Sequence, residues 1–251
     1  MQILGVRIDG PNEKEALAMA NQFLSRDTAS LIFTPNPEML VKATTDRYFF
    51  ETLNKSALNI CDGFGLRLVA FFKKIKINRL AGVDFMQSLC KVAEEKNIPI
   101  YLLGGAREEV VLKTSVVLKK NYPKLQIVGE SAGIAITEGL EGELVYEKSR
   151  NDLEIAKINN LKPQLIFVAF GMGKQEKWLF ENIDKLPSVK IGMGVGGSFD
   201  YISKVTKRAP LLMRKIGLEW AYRLIKQPKR FGRIINATVK FIYLVLTKKT
   251  V

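Results

Sequence analysis

Two kinds of apolar spacing alternate along the chain. Short β-rich runs bounded by turn residues occur at Gln2–Arg7, Ala29–Thr34, Leu58–Cys61, Ile98–Leu103, Leu125–Gly129, Gln164–Phe170 and Val189–Met193. Between them lie longer segments, such as Ala81–Lys96 and Glu108–Lys120, whose apolar residues return every three or four positions, the helical period. The run Leu165-Ile166-Phe167-Val168-Ala169-Phe170 has no polar interruption, as expected of a strand buried on both faces. Alternation with such strands predicts an α/β fold, a parallel sheet with helices on both faces. After about residue 196 the strands stop while helix-period segments continue at Leu211–Lys226 and Arg230–Leu246, separated by Pro228. The expected organisation is a Rossmann-like core over 1–196 and a helical appendage over 197–251. No internal repeat or low-complexity linker interrupts either part.

Charge sharpens that boundary. From Lys204 to the end there are 13 Lys or Arg against one acidic residue, Glu219, so +12 of the net +14 lies there. A basic tail of this kind seeks phosphates, whether of nucleic acid, anionic lipid or a diphosphate substrate. Arg208, Arg214, Arg223, Arg230 and Arg233 accompany Trp220, Tyr222, Phe231 and Tyr243. That mixture suits either a solvated basic face or a helix lying at a membrane interface. No recognised nucleic-acid module occurs. The remainder is ordinary globular composition, 47% hydrophobic and 25% charged over 251 residues, enough to bury a full core. The start, MQILGVRIDGPNEKE, lacks a secretory pattern. The longest apolar run near the end, Phe241–Leu246, is far short of the ~20 residues of a spanning helix. A soluble or peripheral cytoplasmic protein is the expectation.

Two absences narrow the chemistry. With no histidine in the chain, Ser-His-Asp and Cys-His nucleophiles and His-ligated metals are excluded. Cys61 and Cys90 stand 29 positions apart without a CxxC pair and read as buried small hydrophobes in a reducing compartment. A proton acceptor near neutral pH is then a carboxylate, with Lys, Tyr or thiolate as outside choices.

Ligands of open parallel sheets bind at the carboxyl ends of strands. Four polar or Gly-rich clusters fall there: Thr34-Pro35-Asn36-Pro37, Cys61-Asp62-Gly63-Phe64-Gly65, Leu103-Gly104-Gly105, and Phe170 to Glu176 through Lys174-Gln175. Asp62 is either the N-cap of the helix that follows or a catalytic carboxylate, and both readings stay open. Gly192 to Gly197 formally contains GxGxxG, but Ser198–Tyr201 reads as a loop where a dinucleotide site needs a helix. Gly194, Gly196 and Gly197 are better taken as a glycine-lined substrate loop. No Walker A motif or Asp-x-Asp pair is present, so an anionic leaving group here is expected to meet cations and helix N-termini, without a metal or other cofactor.

In order, the chain carries TPNPEM (34–39), DGFGLRLVA (62–70), RLAGVDF (79–85), LLGG (102–105), FVAFGMGKQEKW (167–178), GVGGSFDY (194–201) and KRAPLLMRKIGLEWAYRL (207–224). The series resembles the WecG/TagA/CpsF glycosyltransferases over about residues 2 to 233. The resemblance implies inverting, metal-independent transfer of N-acetylmannosamine, or its uronic acid, from UDP to undecaprenyl-diphosphate-linked N-acetylglucosamine. Such a reaction serves wall teichoic acid linkage units or related surface polysaccharides. It also implies an appendage that docks on the inner face of the membrane and completes the site, and self-association in members whose monomeric pocket is incomplete. By the same resemblance Asp62 is the general base, Thr34 and Asn36 line its pocket, Gln175 and Glu176 follow, and Arg208, Arg214 and Arg223 neutralise diphosphate. Arg79 is placed beside them. Two departures stand out: Gly173 where the family often has proline, and Ser203-Lys204-Val205-Thr206 where it usually has glycine. The rival readings are a NAD-linked oxidoreductase on the late glycine loop and a basic lipid- or nucleic-acid-binding module.

Overall fold

The computed structural model describes residues 1–105, 107–215, 219, 222 and 231–247, with backbone only at 215 and 231–237. The chain opens with β1 (Gln2–Ile3) and β2 (Val6–Arg7), which pair antiparallel. The single strand expected over Gln2–Arg7 is thus a tight hairpin. Leu4 and Gly5 both hold positive φ, +50° and +79°, and reverse the chain in two residues.

Then follow α1 (Glu13–Leu24), β3 (Ser30–Phe33), α2 (Pro37–Ala43), α3 (Arg47–Asn54), β4 (Leu58–Asn59), α4 (Phe64–Phe72) and α5 (Gly82–Glu95). Their starts are written in the sequence. Asn12 and Glu15 form a capping box on α1, Asn36 with Pro37 begins α2, and Asp46 caps α3. The middle of the chain supplies β5 (Ile100–Gly104), α6 (Glu108–Asn121), β6 (Ile127–Ser131), a small hairpin of β7 (Thr137–Glu138) and β8 (Leu144–Val145), and α7 (Lys148–Leu161). The last third supplies β9 (Leu165–Ala169), α8 (Lys174–Asn182), β10 (Ile191–Gly194), α9 (Ser198–Ile202), α10 (Leu211–Lys215) and α11 (Phe231–Thr247). The segment expected as one helix over Leu211–Lys226 is seen as α10, and most of its remaining length lies outside the described residues.

Six strands form one parallel sheet in the order β4-β3-β10-β9-β5-β6. Alternate side chains feed two cores. Ile100, Leu102, Phe167 and Met193 pack with α1, α5, α6 and α9 on one face. Tyr101, Leu103, Ile166 and Val168 pack with α2, α3, α7, α8 and Phe241 of α11 on the other. The sheet is buried on both sides, as the uninterrupted apolar strands predict.

This doubly wound arrangement places the crevice. β3 and β10 are hydrogen-bonded neighbours. The chain leaving β3 turns to the α2 face, whereas the chain leaving β10 turns to the α9 face. Helices departing in opposite directions leave an opening at the carboxyl ends of the two strands.

Candidate active site

A pocket of about 150 Å3 occupies that opening, lined by Thr34, Asn36, Asp62, Gly82, Met172, Gln175, Gly196, Gly197, Asp200, Tyr201 and Glu219 among others. Its walls are the ends of β3, β4 and β10, the first turn of α5 and the loop before α8.

The β3 side is set by capping chemistry. Asn36 Oδ1 accepts from Met39 N at 3.1 Å and so begins α2. Thr34 lies against Gly82, where an added Cβ would come within 3.0 Å of Thr34 Oγ1. Only a glycine lets the start of α5 approach this closely. Asp62 does not cap α4, whose N-cap is Gly63 at φ +104° with no side-chain cap. Its Oδ2 instead accepts from Gly82 N at 3.4 Å, across the pocket at the start of α5. A carboxylate there meets the partial positive charge of a 14-residue helix while one edge lines the cavity. The expectation that Asp62 caps the helix following it is therefore not met: Asp62 accepts from the first amide of α5, 20 residues on, and lies in the pocket wall.

The opposite wall is a buried relay. Glu176 is 1% exposed; its Oε2 accepts from Gly173 N and its Oε1 from Gln175 Nε2, both at 2.7 Å. Gln175 Oε1 in turn accepts from Gly196 N at 2.9 Å. These bonds pin the glycine loop after β10 to α8. Gly194 sits against the pair, where a Cβ would lie 3.1 Å from Gln175 Nε2. Burial, only partly offset by these donors, pushes the Glu176 carboxyl up to about 7. Gly173 holds φ +85°, a conformation closed to the proline of the related pattern. Lys204 holds φ +61° in the segment where that pattern has glycine.

Below this loop lies a closed ionic cluster. Lys177 is fully buried, and its Nζ donates to Asp46 Oδ2 at 2.6 Å, to Glu138 Oε1 at 2.8 Å and to the Gly142 carbonyl. Lys42 bridges Asp46 at 3.1 Å and Glu138 at 3.0 Å. Two cations face two carboxylates, and every charge is matched.

The cluster behind Glu219 is different. Arg79 donates through Nη1 to the Arg214 carbonyl at 2.9 Å and through Nη2 to Glu219 Oε2 at 3.2 Å. Arg208 grips Asp84 with both terminal nitrogens, Nη2 to Oδ2 at 2.8 Å, and its Nε lies 3.7 Å from Glu219 Oε1. Arg214 reaches Asp84 at 4.0 Å. Burial opposes the charge of Arg208, but Asp84, Glu219 and Asp62 outweigh it and raise its pKa. The influence of Asp62 sets carboxylate and arginines in one electrostatic field. Among the described residues, seven buried side-chain polar atoms lack a hydrogen-bond partner, and three are the Nε groups of Arg79, Arg208 and Arg214. Native proteins rarely leave such donors unused without a purpose.

Thr34, Asn36, Asp62, Gln175, Gly196 and Gly197 are thus brought together as pocket wall. Glu176 and Gly194 stand one layer behind; Arg79, Arg208 and Arg214 do not line the pocket and are arrayed behind its residue Glu219 and beside Asp84. Gly104 and Gly105 do not line the pocket. They let β5 and the turn after it close on neighbouring chain, since a Cβ at Gly104 would fall 2.7 Å from the Ala169 carbonyl carbon and one at Gly105 3.3 Å from Phe199. Arg223 lies outside the described residues. The expected loop at Ser198–Tyr201 is the short helix α9, formed because Phe199 and Ile202 bury against the core. At five residues it is far too short for a dinucleotide-binding helix. The thiolate alternative also fails: burial, with help from the Asp62 charge and against Arg79 and Arg67, pushes Cys61 up to about 12. Residue-type reasoning missed Asp84 and Glu219, the carboxylates that array the arginines. Glu219 carried a signal, as the one acid in a strongly basic segment. Among the described residues no cluster of three metal-ligating side chains occurs, and no helix is long and apolar enough to cross a membrane.

Comparison with known proteins agrees over the full length. The model of the glycosyl transferase WecG/TagA/CpsF family matches residues 1–251. A protein of Staphylococcus aureus strain MW2, named N-acetylglucosaminyldiphosphoundecaprenol N-acetyl-beta-D-mannosaminyltransferase, is 30% identical over 252 residues, covering 99% of this chain and 93% of that protein. Proteins of the same name from S. aureus strains NCTC 8325 / PS 47 and MRSA252 match at the same identity and coverage.

Proposed function

The chain belongs to the WecG/TagA/CpsF glycosyltransferase family, and from that premise we propose that it moves N-acetylmannosamine from UDP to the N-acetylglucosamine of a diphosphoundecaprenol acceptor. The observation that carries this reading is a half-buried carboxylate, Asp62, in one pocket wall and three arginines with unused buried N–H groups, arrayed by the pocket residue Glu219 and by Asp84.

In the proposed step, Asp62 accepts the proton of the acceptor hydroxyl as that oxygen attacks the anomeric carbon. The bond from carbon to the UDP oxygen breaks on the opposite face, so one displacement inverts the anomeric configuration. Negative charge grows on the departing diphosphate, and Arg79, Arg208 and Arg214 offer preorganised donors for it in place of a metal ion. Bidentate holding by Asp84 fixes Arg208 before substrate arrives, so little reorganisation is needed during reaction. Gln175 holds the Gly196 amide and thereby shapes the loop against which the sugar would lie. Because the acceptor carries a polyprenyl chain, the protein would work against the membrane's inner face.

Purified protein should be incubated with a synthetic diphosphoprenyl-N-acetylglucosamine and, separately, UDP-N-acetylmannosamine, its uronic acid and UDP-N-acetylglucosamine. The expected product gains one N-acetylhexosamine mass from the first donor only, with inverted anomeric configuration by NMR and with EDTA present. A retained configuration, or transfer only from another donor, would overturn the proposal.

A further inference from the structure

The outer face of α4 is apolar where a surface helix is normally polar. Leu66 and Ala70 point into the protein, as expected. Phe64, Leu68 and Phe71 recur at four- and three-residue steps on the other side, all exposed; Phe71 and its neighbour Phe72 are each 74% exposed, and Ile75, exposed as well, follows just past the helix end. The stripe ends in Phe71-Phe72-Lys73-Lys74-Ile75-Lys76, six exposed residues in a row. Between Asp62 and Asp84 there is no acidic residue, whereas Arg67, Lys73, Lys74, Lys76 and Arg79 are all cationic.

A second stripe adjoins it. On α11, Val239, Ile242, Tyr243 and Leu246 are exposed at helical spacing, while Phe241 is buried inward. Phe241 is the contact between the two helices, since a Cβ on Gly65 would lie 3.5 Å from its ring. Two apolar stripes therefore flank one seam, with cations around them.

We propose that α4 is a membrane-seating element: its Phe64–Phe72 face, with Ile75 just beyond it, enters the headgroup region of an anionic bilayer beside α11. Charge decides between lipid and a protein partner here. Apolar side chains interleaved with lysines, with no acid over 21 intervening residues, match a surface that is greasy beneath and negative above. Net charge along the chain points to the basic tail for membrane contact, whereas α4 belongs to the sheet-bearing body and begins two residues after Asp62. Seating it would bring the pocket to headgroup depth, where a lipid-linked sugar is presented. That consequence rests on the proposed function; the seating itself does not.

The test uses the full chain. Cys61 and Cys90 are both buried, so Phe72→Cys offers one accessible thiol for an environment-sensitive dye. On vesicles containing phosphatidylglycerol the dye should shift to the blue, and on phosphatidylcholine vesicles it should not. Phe71→Ser/Phe72→Ser should weaken partitioning into anionic vesicles on the order of tenfold or more, given the apolar area removed. The same variant should keep its turnover with a short, water-soluble acceptor and its melting temperature. An unshifted dye on protein that still sediments with vesicles would overturn the proposal. So would wild-type partitioning by the double serine variant, or wild-type self-association abolished in that variant, which would make the stripe a contact between copies. Failure of wild-type transfer to the soluble acceptor would sink the glycosyltransferase reading and leave the vesicle result standing.

Discussion

Lys177 and Arg208 are both cations held by carboxylates inside the protein, yet their surroundings end in opposite states. Around Lys177 every donor is used: Asp46, Glu138 and a carbonyl take its protons, and Lys42 balances the second carboxylate. Around Arg208 two carboxylates array three guanidinium groups, and each of those groups retains a buried Nε without a hydrogen-bond partner. The first cluster is complete and ties α8 to the start of α3 and to the β7–β8 hairpin. The second leaves buried donors unused, which is what the proposed anion site requires. Burial of charge alone does not mark function; unspent hydrogen-bonding capacity beside a pocket calls for an explanation, and the proposed anion supplies one.

Substitutions on either side should separate the two. The largest effect is expected from Asp62→Asn, which removes the proposed base: turnover should fall on the order of 10³-fold while UDP affinity in calorimetry stays near wild type. Retained turnover would remove Asp62 from the mechanism. Next comes Lys177→Met, which leaves Asp46 and Glu138 sharing Lys42 as their remaining cation in this cluster; urea unfolding should show a loss of about 3–5 kcal/mol, with kcat of the folded fraction preserved. If kcat collapsed and stability held, the contrast between the two clusters would be reversed. Arg208→Lys keeps the charge but loses the two-pronged grip on Asp84, so kcat should drop about 10- to 100-fold with little change in melting temperature.

The smallest effect concerns Glu176. Its carboxyl is raised in the folded state, to about 7 from an ordinary 4.5, so the folded protein binds the proton more tightly. Its contribution to stability is complete below about pH 4.5 and is lost as pH rises through 7. Glu176→Gln should flatten that part of the stability profile between about pH 5 and 7. A wild-type slope in the variant would assign the pH dependence elsewhere.

The site was legible in the sequence wherever local chemistry writes it. Thr34, Asn36 and Asp62 fall at strand ends next to Pro37 and Gly63, so turn and cap preferences alone flagged them. Gln175 and Gly196 were flagged the same way, although their mutual hydrogen bond was not. Gly104 and Gly105 share that strand-end signature but serve chain packing. A glycine written for backbone approach looks the same in sequence whether the neighbour is a ligand or Ala169. Asp84 escaped because an acid in the first turn of a helix is ordinary there. The hairpin at Leu4-Gly5 escaped because a six-residue β-rich run hides a two-residue reversal.

By itself the sequence determined the α/β class, the strands buried on both faces, the concentration of cations after residue 203 and a chemistry without histidine. Those properties follow from periodicity and residue type, which act over a few positions or over the whole chain at once. Only the tertiary structure decided that β3 and β10 are neighbours, that Asp62 accepts from the first amide of a helix 20 residues downstream and that Asp84 arrays Arg208 across 124 positions. Only it decided which apolar residues of α4 face outward. Such pairings depend on how helices close over a sheet, and no local preference carries that information.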